Sequence, residues 1–349
     1  MVIQPMVEQA GVEVWAAAGE FTTYFYPILL RVNAMDANEL LQRYAAGERD
    51  FRTIDLSGVD LRGADLQGLN LKKSILFGAN LSGASLMGGD LHGAILRQAN
   101  LTKAQLTGSR FMGADLSEAT MIEADLSGVN LWQAMLRNAT LCHANLSRAH
   151  LNQSNLSYAD LMAANLSRAS LNGANLMHAN LVEANLNRIE GIGANLKRSQ
   201  LQGAHLELAN LNKAILQEAD ISRANLEAVN LSQANLHRAI LNGVNLTGAN
   251  LTQANLIDAQ LVLASMRGAK LDGAELIQAN LTEADLSWVS LQDTNLSAAT
   301  LHKTILIDVD LRLAILRGAD LSYAKLKQVG LESLNLNWAV LPHDAYQVY

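Results

Sequence analysis

"GADLQGLNLKKSILFGANLS", residues 63–82, divides into four fives, each with leucine in fourth place: Leu66, Leu71, Leu76 and Leu81. The spacing runs far beyond this stretch. Steps of five from Leu56 to Leu341 give 58 positions, of which 53 are leucine, so one unbroken frame spans this whole region with no inserted loop. The exceptions are Phe111, Met121, Gly191, Ile221 and Met266.

Period five suits neither regular element. On an α-helix a step of five advances about 500°, which spreads the leucines around the cylinder and leaves no core stripe. On a flat strand an odd step sends successive leucines to opposite faces. The chain must therefore turn once per five residues. Alanine precedes the leucine by two places in 40 of the 58 units, so a small and a large apolar side chain share the inner side of each short extended piece. The other three residues take the chain round a corner. Successive coils then stack through backbone hydrogen bonds, as parallel strands do.

With units such as "GADLQ", "GANLS", "RANLE" and "EADLS", the chain resembles the pentapeptide-repeat family, whose motif is A(D/N)LXX. The resemblance covers residues 51–341. It implies an all-β solenoid: a right-handed quadrilateral parallel β-helix with four pentapeptides per coil. At ~4.8 Å per coil such a rod is roughly 70 Å long.

An open stack exposes apolar side chains and unpaired backbone at its ends, so caps are expected. "DANELLQRYAAGERDF" starts at Asp36 and has Glu39 three places on, the pattern of a capping box. A helix over 36–46 follows, with Leu40, Leu41, Tyr44 and Ala45 as its apolar stripe and Gly47 at its end. Residues 35–50 thus form a helical N-cap. Their opening resembles that of cyanobacterial family members that begin at a methionine like Met35. Residues 1–34 read as an N-terminal extension, either flexible or a misassigned start. At the other end 342–349 form a tail, with Trp338, Pro342, Tyr346 and Tyr349 expected to close the last coil. In some family members this end makes a homodimer.

Composition narrows the function. The chain has 349 residues, which alone would suggest two or three domains, but the repeat makes most of it one unit. A net charge of −7 argues against direct nucleic-acid binding. One cysteine, Cys142, leaves no internal disulfide framework and suits a reducing compartment. No apolar run has the roughly 18 residues of a membrane span, and a secretory signal pattern is missing, so a cytoplasmic protein is expected.

The pattern of reactive residues points to no enzyme, no cofactor and no metal. No two of the eight histidines are 20 residues apart, the spacing that stacking would need. Cys142 and His143 occupy outward positions where sequence neighbours diverge, and no phosphate loop occurs. The abundant Asp and Asn before each leucine recur with the fold period, which assigns them to the stack itself.

Folding the text at 20 residues exposes two surface features. Arg148, Arg168 and Arg188 fall in one column, where like charges about 5 Å apart repel by roughly 1 kcal/mol in water before salt screening. They are either tolerated surface residues or an anion-binding ladder. A second face gathers Ile75, Phe77 and Ile95, followed by scattered Met135, Tyr158, Met177, Ile215, Ile257, Ile277, Ile315 and Trp338. Exposed apolar clusters often mark partner surfaces.

Two functions compete. The first is a non-catalytic scaffold or regulatory module that presents rigid faces to unidentified protein partners. The second comes from the resemblance: some family members mimic duplex DNA and bind type II topoisomerases such as gyrase. Residues 51–349 hold 26 acidic against 23 basic residues, far short of the one charge per ~1.7 Å of a duplex. Only the stretch after residue 250, with 11 acids and 7 bases, leans that way.

The frame is most altered in "NLNRIEGIGANL", residues 185–196, where Ile189 and Gly191 stand for the usual alanine and leucine. The exchange nearly conserves volume, which cores tolerate best. Ile189 is expected to fill the space at Gly191, between the coils of Leu171 and Leu211. The two glycines around Ile192 are expected to allow a small bend or bulge.

Overall fold

The computed structural model describes residues 33–331 and 334–343. The expectations for residues 1–32, and for Tyr346 and Tyr349, lie outside the described residues.

Nearly every pentapeptide turns by the same device. The Val59 N–H donates to the Leu56 carbonyl at 3.1 Å, closing a four-residue turn over Ser57 and Gly58. Gly58 has φ +67° while Ser57 is not left-handed, the signature of a type II turn. Residues such as Arg148 (φ +59°) hold the same conformation at other corners. That conformation costs about 1–2 kcal/mol for a side chain with a Cβ. Full burial of a leucine contributes about 1.5–3 kcal/mol, so each unit can bear a non-glycine corner.

Between corners, only one residue per unit pairs as a β-bridge. Asp55 pairs in parallel with Ile75, and Ile75 with Ile95, and the 20-residue register continues to Asp320 and Val340. A period of 20 with a turn every five makes four faces. The first carries Leu56 and Leu76, the second Leu61 and Leu81, the third Leu66 and Leu86, the fourth Leu71 and Leu91. Two longer pieces, β1 (Ile305–Ile307) and β2 (Lys325–Lys327), pair in parallel in the same register.

Leucines from all four faces are buried and meet in one continuous core. The alanine site follows the left-handed corner residue and turns back inward, where most of these side chains are also buried. Where Ser or Thr replaces alanine, the hydroxyl finds a backbone carbonyl. Ser109 donates to Leu86 O at 2.7 Å and Thr294 to Leu271 O at 2.9 Å. No buried hydroxyl at these sites is then left costly. The Asp or Asn before each leucine is also accounted for. Asn145 Oδ1 accepts from the Ser147 N–H at 3.2 Å and from Asn165 Nδ2 at 3.3 Å, tying the turn and the next coil together.

The first coil is capped by α1 (Ala37–Ala45). Asp36 Oδ1 accepts the Glu39 N–H at 2.8 Å, as expected of an N-cap. The reciprocal half of the box is not made, because the Glu39 carboxylate pairs with Arg43 at 3.2 Å. Gly47 has φ +97°; its N–H reaches Tyr44 O, and that of Glu48 reaches Arg43 O, a Schellman ending. Of the expected stripe Leu40 is buried and Tyr44 partly so, with Ala37 beside them, whereas Leu41 and Ala45 are exposed. Leu40 lies inward, and the next residue lies about 100° round the helix. Just before α1, Ala34 pairs with Asp55, so the stack engages the chain ahead of the helix.

The C-terminal end also differs from expectation. Pro342 is buried, but Trp338 sits at a left-handed corner, 85% exposed, and does not close the coil. Corner side chains project away from the core on every face, whatever their apolarity.

Candidate functional site

The corners and the flanking positions form the outer surface, and side chains 20 residues apart stack there. Several stacked corner pairs are complementary. Arg198 reaches Glu218 at 2.7 Å, Arg238 reaches Asp258 at 3.4 Å, and Gln133 donates to Gln153 at 3.0 Å. Tyr158 and His178 stack with ring centroids 4.8 Å apart. The arginine column is the contrast. Arg148, Arg168 and Arg188 occupy one corner in three successive coils, all exposed and all left-handed. Among the described residues, none of the three has a carboxylate within 4.0 Å. The next residue in the column is Leu208, φ +59° and 54% exposed.

On the first face Ile75 and Ile95 are bridge partners, each half-buried, with Phe77 46% exposed on the same face. The structure pairs the two isoleucines and places Phe77 on the same face. The rest of the apolar set on this face is interrupted, as the sequence spacing implies: polar Asn155, Asn175 and Asn195 lie between Met135 and Ile215 in one column. A further stripe went unnoticed in the linear text. Ile122, Cys142, Met162 and Val182 form one column of the second face, in four successive coils. The 20-residue spacing was the signal that could have found it.

Reactive chemistry is muted. Burial and the neighbouring Asp160 carboxylate push the Cys142 thiol up to about 11, so it stays protonated at neutral pH. Among the described residues no group of three or more His, Cys, Asp and Glu side chains could hold a metal ion. No described helix is long and apolar enough to cross a membrane. Four of the acids after residue 250 are ion-paired: Asp258 with Arg238 at 3.4 Å, Asp285 with Arg267 at 3.5 Å, Glu283 with Lys303 at 3.3 Å and Asp310 with Arg312 at 2.7 Å.

At the irregular stretch the ladder is continuous. Glu190 bridges both Ser170 and Asn210, and the Gly191 N–H donates to Asn210 O at 2.8 Å. The expected bulge is not there, because Ile189 and Leu211 fill the space and the coil need not deform. Ile189 is buried, whereas Ile192 is 42% exposed on the fourth face with its N–H bound to Asn172 Oδ1 at 2.8 Å.

These features define a side-chain-filled parallel β-solenoid whose variable chemistry is all on its outside. Eight blocks of the pentapeptide-repeat model match residues 54–332 almost without a gap, and the chain belongs to that family. The family fold is the right-handed quadrilateral β-helix. HetL, a pentapeptide repeat protein involved in heterocyst differentiation regulation in the cyanobacterium Nostoc sp. strain PCC 7120, is 32% identical. That match covers 84% of this chain and 95% of HetL, with a TM-score of 0.22. Rfr23 from the cyanobacterium Cyanothece 51142 is 36% identical over 29% of this chain and 58% of its own, TM-score 0.22. QnrB1, a plasmid-mediated fluoroquinolone resistance protein, is 18% identical over 75% of this chain and 91% of its own, TM-score 0.17. Comparison with curated protein sequences gives no match.

Proposed function

We propose that this chain is a non-catalytic binding rod, a scaffold or regulatory module of the cytoplasm that holds protein partners on its faces. The observation that carries the reading is the Ile75–Ile95 rung with Phe77 exposed on the same face. A solenoid already filled with Leu and Ala gains nothing by placing apolar groups outside, whereas a partner can bury them. HetL's involvement in differentiation regulation is compatible with such a role.

The test is co-purification from native extract with wild-type protein and an Ile75→Asp, Phe77→Asp, Ile95→Asp variant. Wild type is expected to retain a specific partner that the folded variant loses. Retention of every partner by the variant removes this face from the reading. The topoisomerase reading is checked with the same preparations. Protection or inhibition of gyrase supercoiling at micromolar protein would replace the scaffold reading with it.

A further inference from the structure

We propose that the corner column Arg148, Arg168, Arg188, Leu208 is the docking edge for an acidic α-helix of a partner protein, lying along the rod axis. The inference rests on the binding-rod reading and names a site and a partner chemistry for it. Among the described residues this is the only run of three like charges on one corner. The four preceding coils place Gly68, Gly88, Gly108 and Gly128 at the same corner, all left-handed, where glycine is free of strain. Three arginines therefore replace the unstrained residue, repel one another and lack a carboxylate partner among the described residues. Leu208 follows, left-handed, apolar and more than half exposed. Ile192, also exposed, lies on the adjoining fourth face.

The flanks are suited to oxyanions at one end only. Ser147 and Ser167 precede the first two arginines, beside the neutral amides Asn145 and Asn165. Acidic groups stand at the other end. Glu190 is held by Asn210 Nδ2 at 2.8 Å, and Glu207 by Asn225 Nδ2 at 2.8 Å. Glu183 lies across the third face from Arg188. Complementarity thus asks for carboxylates opposite the arginines and an apolar group opposite Leu208.

Pitch selects a helix over an extended strand. Successive coils are about 4.8 Å apart, so the four corners lie at about 0, 4.8, 9.6 and 14.4 Å. Residues i, i+3, i+7 and i+10 of an α-helix rise about 0, 4.5, 10.5 and 15 Å, and stay within a rung by about 1 Å. Same-face residues of a strand rise about 6.7 Å each and are about 6 Å out of register by the fourth. Guanidinium forks pair bidentately with carboxylates, which adds direction to the charge match.

The probe is a roughly 17-residue alanine-rich helical peptide with Glu at i, i+3 and i+7 and Leu at i+10, made in both chain directions. Three controls accompany it: an isomer with the same residues spread around the helix, a proline-broken isomer, and inorganic pyrophosphate. Binding is read by fluorescence anisotropy, with pyrophosphate as competitor, at about 50 and 300 mM salt. Wild-type protein is expected to bind one striped peptide at least about tenfold tighter than either isomer, and more weakly in high salt. An Arg148→Gly, Arg168→Gly, Arg188→Gly variant is expected to lose about tenfold or more; the neighbouring coils show that glycine fits this corner. Leu208→Ser is expected to lose severalfold with the salt response kept. Equal binding of all peptides, competition by pyrophosphate as effective as by peptide, undiminished binding by the glycine variant, or no peptide binding at about 1 mM each overturns the proposal. If the glycine variant fails with the peptide but native partners still co-purify, those partners use another face and the binding-rod reading stands. If no native partner binds either protein, that reading fails whatever the peptides do.

Discussion

Ile189 Cδ1 lies 3.7 Å from the point a Cβ on Gly191 would occupy, and Leu211 Cδ2 lies 2.9 Å from it. The space a repeat leucine would fill is thus occupied from the preceding corner and from the next coil. Restoring the leucine alone overpacks the site, and Gly191→Leu should cost about 1–3 kcal/mol. Ile189→Ala should cost about 2–4 kcal/mol, since it empties the same space. The double variant restores the ordinary Ala-x-Leu unit and should recover most of both losses. Urea unfolding followed by circular dichroism measures the cycle. Additive losses, or a stabilising Gly191→Leu, would show that the three side chains do not share one space.

Gly108 isolates the cost of the corner conformation. Its φ is +67°, and a Cβ built there meets nothing within 4 Å. Gly108→Ala therefore changes backbone strain without changing packing, and should destabilise by about 1 kcal/mol. Gly108→Val should cost more, being β-branched, and Gly108→Asn less. Thermal unfolding of the three variants gives the order. Equal midpoints for Ala, Val and Gly would mean that the corners carry no strain and that exposed corner residues such as Leu208 come free.

The leucine frame made the coil legible because a buried pair, alanine site and leucine, every five residues fits neither a helix nor a flat strand. Asp36 and Gly47 were legible as helix ends for the same reason, each serving a local backbone need. Arg148, Arg168 and Arg188 were legible as a column, because the period converts sequence distance into contact. Other details depended on shape. Leu41 looks apolar and inward in the text, but the helix is docked by Leu40 and leaves Leu41 outside. Trp338 has the size of a capping residue, but its corner position points it to solvent. The bulge expected at Gly191 failed because the text does not show that a leucine one coil away fills a gap. The stripe Ile122, Cys142, Met162, Val182 is hidden until the chain is wrapped at 20.

Arg312 at 2.7 Å holds the Asp310 carboxyl down at about 2, helped by the Arg312 N–H and by Gln292 Nε2 at 2.7 Å. Its folded value lies below that of the unfolded chain. The stabilisation is therefore present above about pH 4 and is lost as pH falls towards 2. Arg312 is well exposed, so solvent screening keeps the contribution of the pair small. Asp310→Asn should lower stability slightly at pH 7 and have no disadvantage at pH 2. Urea midpoints at the two pH values test this. A constant difference between variant and wild type would mean that the ion pair is not what Asp310 contributes.

The N-terminal helix should matter more than its nine residues suggest. Leu40 is fully buried and belongs to the core that begins with Phe51 and Leu56. Tyr44 adds a second tie, its hydroxyl donating to Gln67 O at 3.1 Å. Removing the helix contact exposes the open end of the stack, where each coil is held only by its neighbours. Leu40→Asp should therefore fray the first coils before the middle of the rod unfolds. Asp36→Ala, which removes only the cap, should cost about 1 kcal/mol. Amide exchange distinguishes the two. In Leu40→Asp the amides of Leu56, Leu61 and Leu66 should lose protection while that of Leu206 keeps it. In Asp36→Ala only α1 should exchange faster. If Leu40→Asp instead lowers protection equally along the rod, the solenoid unfolds as one unit and the cap stabilises all of it.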